Sequence, residues 1–171
     1  EVSMSASAAK VAEQQLRELQ ASEQRFHAAF THASIGMALI AFDGRMLQVN
    51  PALCALVGAD ANALLSSRIQ ALVVDDDLPL LSTQLGLAGE DDFEGFHCEL
   101  RCHHHSGDLV WLHVHCGFFT EPGASLPCLI LQAQNVTARR AAEDGLQHLA
   151  FHDSLTGLAN RRRFLECLTG A

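Results

Sequence analysis

The strongest constraint on the fold is a pair of neighbouring segments in which apolar and polar side chains alternate. FHCELRCHHH at 96–105 and LVWLHVHCGFF at 109–119 both have the period of two that places successive side chains on opposite faces of a β-strand. Residues 106–108 between them suit a three-residue hairpin loop, because Gly107 can adopt a left-handed conformation. The register that keeps the apolar faces together pairs Cys102 with Leu112, Leu100 with Val114 and Cys98 with Cys116.

One face of these strands is apolar, and it continues onto a third strand within LPCLILQAQNVT at 126–137. We expect this face to form packed core, since apolar clusters usually do. A pocket for a small apolar ligand is the alternative, because Ala133 and the cysteines are small enough to leave space. The residues of this face are Phe96, Cys98, Leu100, Cys102, Leu112, Val114, Cys116, Leu129, Leu131 and Ala133.

The opposite face carries histidines and a carboxylate. The register above places Glu99 opposite His115, with His113 on the same face. Imidazole and carboxylate suit zinc or nickel, so Glu99, His113 and His115 are the candidate ligands if a metal binds. No closed ligand set is evident, so the sequence favours a polar sheet face without a metal.

Helices and a second hairpin precede these strands. Residues 8–30 are predicted to be helical, and a seam with spacings of three and four runs along them as Ala12, Leu16, Leu19, Glu23, Phe26 and Phe30. Both a coiled coil and a single amphipathic helix fit this seam. Asp43-Gly44 predicts a β-hairpin, and Asn50-Pro51 predicts a capped helix start. Short helices are expected over 51–73 and 75–89.

This order of elements resembles a PAS domain across residues 26–137. The resemblance is carried by FTHASIGMALIAFDGRMLQVNPALCALVGA, WLHVHCGFF and LILQAQNVT. It implies an α+β fold with a five-stranded antiparallel sheet, helices on one face, and flanking N- and C-terminal signalling helices. The closing NVT takes the place of the family's Asp-Ile-Thr exit motif, with Asn135 replacing the acidic residue.

The segment LAFHDSLTGLANRRRF at 149–164 resembles the start of a GGDEF domain, the fold of diguanylate cyclases. The matching positions are Asp153, Leu155, Thr156, Gly157, Leu158, Asn160, Arg161 and Arg162. By contrast, GEDDFEG at 89–95 is only a loose echo of the GGDEF signature, and we interpret it as an acidic loop.

The two resemblances divide the chain into four parts. They are an N-terminal helix at 1–25, the PAS domain at 26–137, a signalling helix at 138–152 and the truncated start of a GGDEF domain at 153–171. Signal transmission is assigned to Asn135, Thr137, Leu146, Leu149 and Asp153.

The implied function is a sensory and dimerisation module for a diguanylate cyclase in bacterial cyclic di-GMP signalling. The alternatives are a ligand-free dimerisation scaffold of a cyclase–phosphodiesterase hybrid, or a haem- or metal-binding redox sensor. The chain itself is expected to be non-catalytic and to form a homodimer through its flanking helices. A small apolar ligand is the other partner considered.

Composition and motifs limit the remaining classes. The formal net charge of −9 argues against nucleic acid as a partner, and no apolar run reaches the roughly 18–20 residues needed to cross a bilayer. The six cysteines form no CxxC pair, which favours reduced thiols in a cytoplasmic protein. The resemblance to PAS domains disfavours haem and flavin. Haem sensors of the common type in that family take an axial histidine from the helix before the last three strands, and residues 75–92 contain none. The light-sensing flavin subfamily has an Asn-Cys-Arg-Phe motif, and SSRIQALV at 66–73 has no cysteine, while ligation of haem by another histidine stays an alternative. No cofactor is the favoured expectation.

Overall fold

The computed structural model describes residues 2–90, 92–119 and 128–151, with side chains over 8–90, 92–119 and 128–146. Its elements are α1 (Val2–His32), β1 (Gly36–Ile40), β2 (Met46–Val49), α2 (Pro51–Val57), α3 (Ala61–Leu65), α4 (Leu78–Leu87), β3 (Phe96–His103), β4 (Leu109–Phe119), β5 (Cys128–Asn135) and α5 (Thr137–Phe151). Short 3-10 turns at Ile69–Leu72 and Asp75–Asp77 precede α4. The strands form one antiparallel sheet in the order β2-β1-β5-β4-β3, which confirms the predicted fold class.

Both hairpins use the same three-residue loop. In the first, the Ala41 N–H donates to the Arg45 carbonyl at 2.9 Å, and Gly44 ends the loop with φ of +87°. In the second, the His104 N–H donates to the Asp108 carbonyl at 2.9 Å, and Gly107 ends the loop with φ of +93°. A loop of this kind needs a left-handed residue at its last position, which glycine adopts without steric cost.

The predicted register of β3 and β4 is wrong by two residues. The loop has the expected length, but it comprises residues 105–107, because Gly107 takes the last loop position rather than the middle one. The observed partners are Cys102 with Val110, Leu100 with Leu112, Cys98 with Val114 and Phe96 with Cys116. Side chains alternate with a period of two, so this shift leaves the predicted faces intact.

The core lies between the inner face of the sheet and the helices α2 to α4. Nine of the ten predicted inward-facing residues are buried, and Cys98 is half-buried. The helices contribute Leu53, Val57, Leu64, Leu81 and Leu85 to the same cluster. Burial of this apolar surface is the main stabilising contribution to the fold.

Asn50 connects three elements through one buried amide. Its Oδ1 accepts hydrogen bonds from the N–H groups of Leu53 (2.9 Å) and Met37 (2.8 Å). Its Nδ2 donates to the carbonyls of Phe30 (3.0 Å) and Ile35 (2.9 Å). The predicted cap of α2 is therefore confirmed, and the same side chain also fixes the end of α1 beside β1.

Only the last two turns of helix α1 pack against the domain. Residues 8–25 are exposed, whereas Phe30 is buried and Phe26 half-buried on the outer face of the sheet. The ring centroids of Phe26 and Phe119 are 5.0 Å apart, and Phe30 packs in a cluster with Leu39. Within the described residues, no helix combines the length and apolar character that a membrane span requires.

Candidate functional site

The start of α5 is joined to β4 at Trp111. The Val136 N–H donates to the Trp111 carbonyl, and the Trp111 N–H donates to Thr137 Oγ1, both at 2.9 Å. Asn135 Oδ1 accepts a hydrogen bond from the Thr137 N–H at 2.9 Å, which turns the chain from β5 into the helix. Two residues assigned to signal transmission, Asn135 and Thr137, therefore lie where the sheet meets α5.

Glu99 on β3 binds two arginines of α5, and we call Glu99, Arg139 and Arg140 the Glu99 anchor. Glu99 Oε1 lies 2.6 Å from Arg139 Nη2, and Glu99 Oε2 lies 2.5 Å from Arg140 Nε. Hydrogen bonding from Arg140, reinforced by Arg139, lowers the pKa of the Glu99 carboxyl. The Glu99 side chain is 24% exposed, so these charges are partly shielded from solvent.

The Glu99 anchor is packed against Trp111. The guanidinium carbon of Arg140 lies 3.7 Å from the centroid of the indole ring, close enough for a cation–π interaction. Arg101, also on β3, approaches the same ring at 5.7 Å. Trp111 thus contacts α5 through both its backbone and its ring.

Arg101 extends this network to the start of α4. Its Nη2 lies 2.7 Å from Asp77 Oδ1, and its backbone N–H donates to Asp77 Oδ2 at 2.7 Å. The side-chain hydrogen bond from Arg101 lowers the pKa of Asp77. Neither Arg101 nor Glu99 could be paired from sequence, since their partners lie more than twenty residues away along the chain.

The predicted pairing of Glu99 with His115 is wrong, because the register is shifted. Glu99 lies opposite His113, and His97 lies opposite His115. The ring centroids of His97 and His113 are 6.4 Å apart. Among the described residues, no three His, Cys, Asp or Glu side chains are grouped so that they could hold a metal ion.

The inner face encloses a cavity of about 20 Å³ with apolar walls. Six of the ten residues predicted for the apolar face line it: Leu100, Cys102, Leu112, Val114, Leu131 and Ala133. The remaining four, Phe96, Cys98, Cys116 and Leu129, do not. Burial raises the pKa of both the Cys102 and the Cys116 thiol to about 12, so these side chains are un-ionised at neutral pH.

The other residues assigned to signal transmission lie further along α5 or beyond it. The Leu146 side chain is 68% exposed. The side chain of Leu149 lies outside the described residues, as do Asp153 and the GGDEF-like segment at 153–171.

Comparisons with known proteins agree with this architecture. A family model for the PAS domain matches residues 24–96. The PAS domain of an HTR-like protein from Haloarcula marismortui superposes with a TM-score of 0.59 at 21% identity, covering 72% of this chain and 98% of that one. The PAS domain of a LuxR-family transcriptional regulator from Burkholderia thailandensis, solved in complex with ethanol, gives 0.53 at 17% identity and covers 66% and 97%.

A curated relative is the probable diguanylate cyclase DgcE of Escherichia coli (strain K12). It is 27% identical over 128 residues, which are 75% of this chain and 12% of that protein. The family model thus matches residues 24–96, and the fold of the chain is that of solved PAS domains.

Proposed function

We propose that this PAS domain is a sensory and dimerisation module that regulates a diguanylate cyclase domain following α5. The GGDEF-like residues Asp153 to Arg162 come directly after α5 in the sequence. The similarity to a probable diguanylate cyclase supports the same assignment, although the chain spans only 12% of that protein. The full-length protein would then control the synthesis of cyclic di-GMP.

The observation that carries this proposal is the Glu99 anchor. Helix α5 is the covalent route from β5 to the residues that follow, so a signal transmitted along the chain passes through it. The Glu99 anchor and Trp111 bind the first turn of α5 to β3 and β4, two strands that also line the core. A change in the sheet would therefore alter the direction or the order of this helix.

Dimerisation through the flanking helices is part of the proposal. Two residues of the predicted seam, Phe26 and Phe30, pack against the chain's own sheet. Leu16 (55% exposed) and Leu19 (40% exposed) remain on the solvent side of α1, and Leu146 extends an exposed apolar side chain from α5. Diguanylate cyclases join two GTP molecules held by two facing domains, so two parallel α5 helices would set the phase between those domains.

A ligand-free dimerisation scaffold is the second candidate, and the small internal cavity favours it. A volume of about 20 Å³ suits roughly one water molecule, and the apolar walls offer that molecule no hydrogen bond. Binding of a small apolar ligand inside this core would require the core to expand.

Insertions in α5 of the full-length protein test the proposal. Seven residues inserted after Ala142 add about 700° of helix rotation, so the domains that follow α5 return nearly to their original phase. Two inserted residues add about 200° and leave those domains about half a turn out of phase. We expect the seven-residue insertion to preserve regulated cyclic di-GMP synthesis and the two-residue insertion to disrupt it. Equal activity and equal regulation in both variants would show that α5 is a passive tether.

A further inference from the structure

Three histidines share the outer face of β3 and β4 at neighbouring register positions. His97 and His115 are register partners, and His113 lies next to them with its ring centroid 6.4 Å from that of His97. The corrected register creates this arrangement, because it places His97 opposite His115 where the sequence had predicted Glu99.

The hydrogen-bonding pattern of the hairpin shows how close the backbones of His97 and His115 lie. His104 and Asp108 form a hydrogen-bonded pair next to the loop, and pair types alternate along an antiparallel ladder. His97 and His115 lie seven pairs further along with no interruption of the register, so they form a non-hydrogen-bonded pair. In such pairs the Cα atoms are about 4.5 Å apart and the side chains approach most closely.

Both imidazoles are available to a ligand. His97 and His115 are exposed, and within the described part of the chain neither ring is engaged in a hydrogen bond or an ion pair. The nearest acidic side chain on this face, Glu99, is already held by Arg139 and Arg140. In the described part of the chain, the pair thus presents two imidazole side chains that no hydrogen bond or ion pair occupies.

We propose that His97 and His115 chelate a divalent transition-metal ion of the Cu²⁺, Ni²⁺ or Zn²⁺ type, with water completing the coordination. Metal–imidazole bonds of about 2.0–2.1 Å place two neighbouring ligand nitrogens about 3 Å apart. Two side chains with Cβ atoms about 4.5–5.5 Å apart can reach this separation. Imidazole suits these ions, and Cu²⁺ binds most tightly in the usual order of affinities.

His103 provides a matched control. It lies on the same strand and the same outer face, and its register partner is Leu109, which cannot ligate a metal. His103 is also exposed, so neither its replacement nor that of His97 or His115 disturbs the core. The three variants are therefore expected to be equally stable. They differ in whether the replaced histidine has an imidazole as its register partner.

The experiment is a Cu²⁺ titration of the untagged chain, followed by calorimetry and by the histidine ring signals in NMR spectra. We expect His97→Ala and His115→Ala each to weaken the site about tenfold or more, since even the loss of a partner beyond the ligands costs about 10–100-fold. The ring signals of His97 and His115 should broaden before those of His103, His104 and His105, and His103→Ala should leave the site unchanged. Wild-type affinity in either site variant, or equal weakening by His103→Ala, would overturn the proposal.

Discussion

The two flanking helices are attached to the same sheet by different physical means. Helix α1 ends in apolar and neutral contacts, with Phe30 buried and its carbonyl bonded to the amide of Asn50. Helix α5 begins in charged contacts, with Arg139 and Arg140 bound to Glu99 at a partly exposed site. Burial of apolar side chains contributes strongly to stability and is insensitive to salt. Exposed ion pairs contribute little to stability, and salt screens them. The attachment of α1 to the sheet is therefore suited to remain fixed. The attachment of α5 to the sheet is suited to change.

The largest effect is expected where α1 is attached. Phe30→Ala removes a buried ring that packs against Leu39 and Phe26, and it should lower the free energy of unfolding by about 3–5 kcal/mol. Urea denaturation measures this change. Val11→Ala, on the exposed part of the same helix, should stay within about 0.5 kcal/mol of wild type. A Phe30→Ala variant as stable as Val11→Ala would show that α1 is not held by this packing.

A smaller and more local effect is expected where α5 is attached. Glu99→Gln removes the charge from the Glu99 anchor, and amide hydrogen exchange in the first turns of α5 should accelerate about two- to fivefold. Glu143→Gln is the matched control, because it removes an ion pair with Arg139 (3.0 Å) that lies within the helix. High salt should reduce the difference between wild type and Glu99→Gln. Equal exchange in the two variants would contradict the anchoring role of Glu99.

The pH dependence of α5 follows from the same carboxylate. Arg140 lowers the folded-state pKa of Glu99 below its ordinary value of 4.5, so the unfolded chain takes up a proton first as pH falls. The stabilisation is therefore complete above about pH 4.5 and is lost as pH falls through the lowered folded value. Protection of α5 in wild type should decrease over this range, and protection in Glu99→Gln should change less. The same dependence in both chains would exclude Glu99 as its cause.

The sequence predicted which residues face the core, because a register shift of two residues leaves each side chain on the same face of the sheet. It did not predict the register, because the sequence allows Gly107 at either of two loop positions, which the strand partners and the hydrogen bond between His104 and Asp108 distinguish. The cap of α2 at Asn50 was predictable from Asn-Pro, whereas its bonds to Phe30 and Ile35 depend on the tertiary fold. The Glu99 anchor was missed for the same reason, since 40 residues separate Glu99 from Arg139.

Under the proposed function, in which a diguanylate cyclase domain follows α5, the most direct test is the rate of cyclic di-GMP synthesis by the full-length protein carrying Glu99→Gln, with Glu143→Gln as its control. Allosteric coupling between two sites typically changes an equilibrium by about fivefold or more. If the Glu99 anchor transmits the signal, Glu99→Gln should shift the basal or the stimulated rate by at least about that factor, while Glu143→Gln retains the wild-type rate and response. A Glu99→Gln protein with the wild-type rate and response would contradict the account.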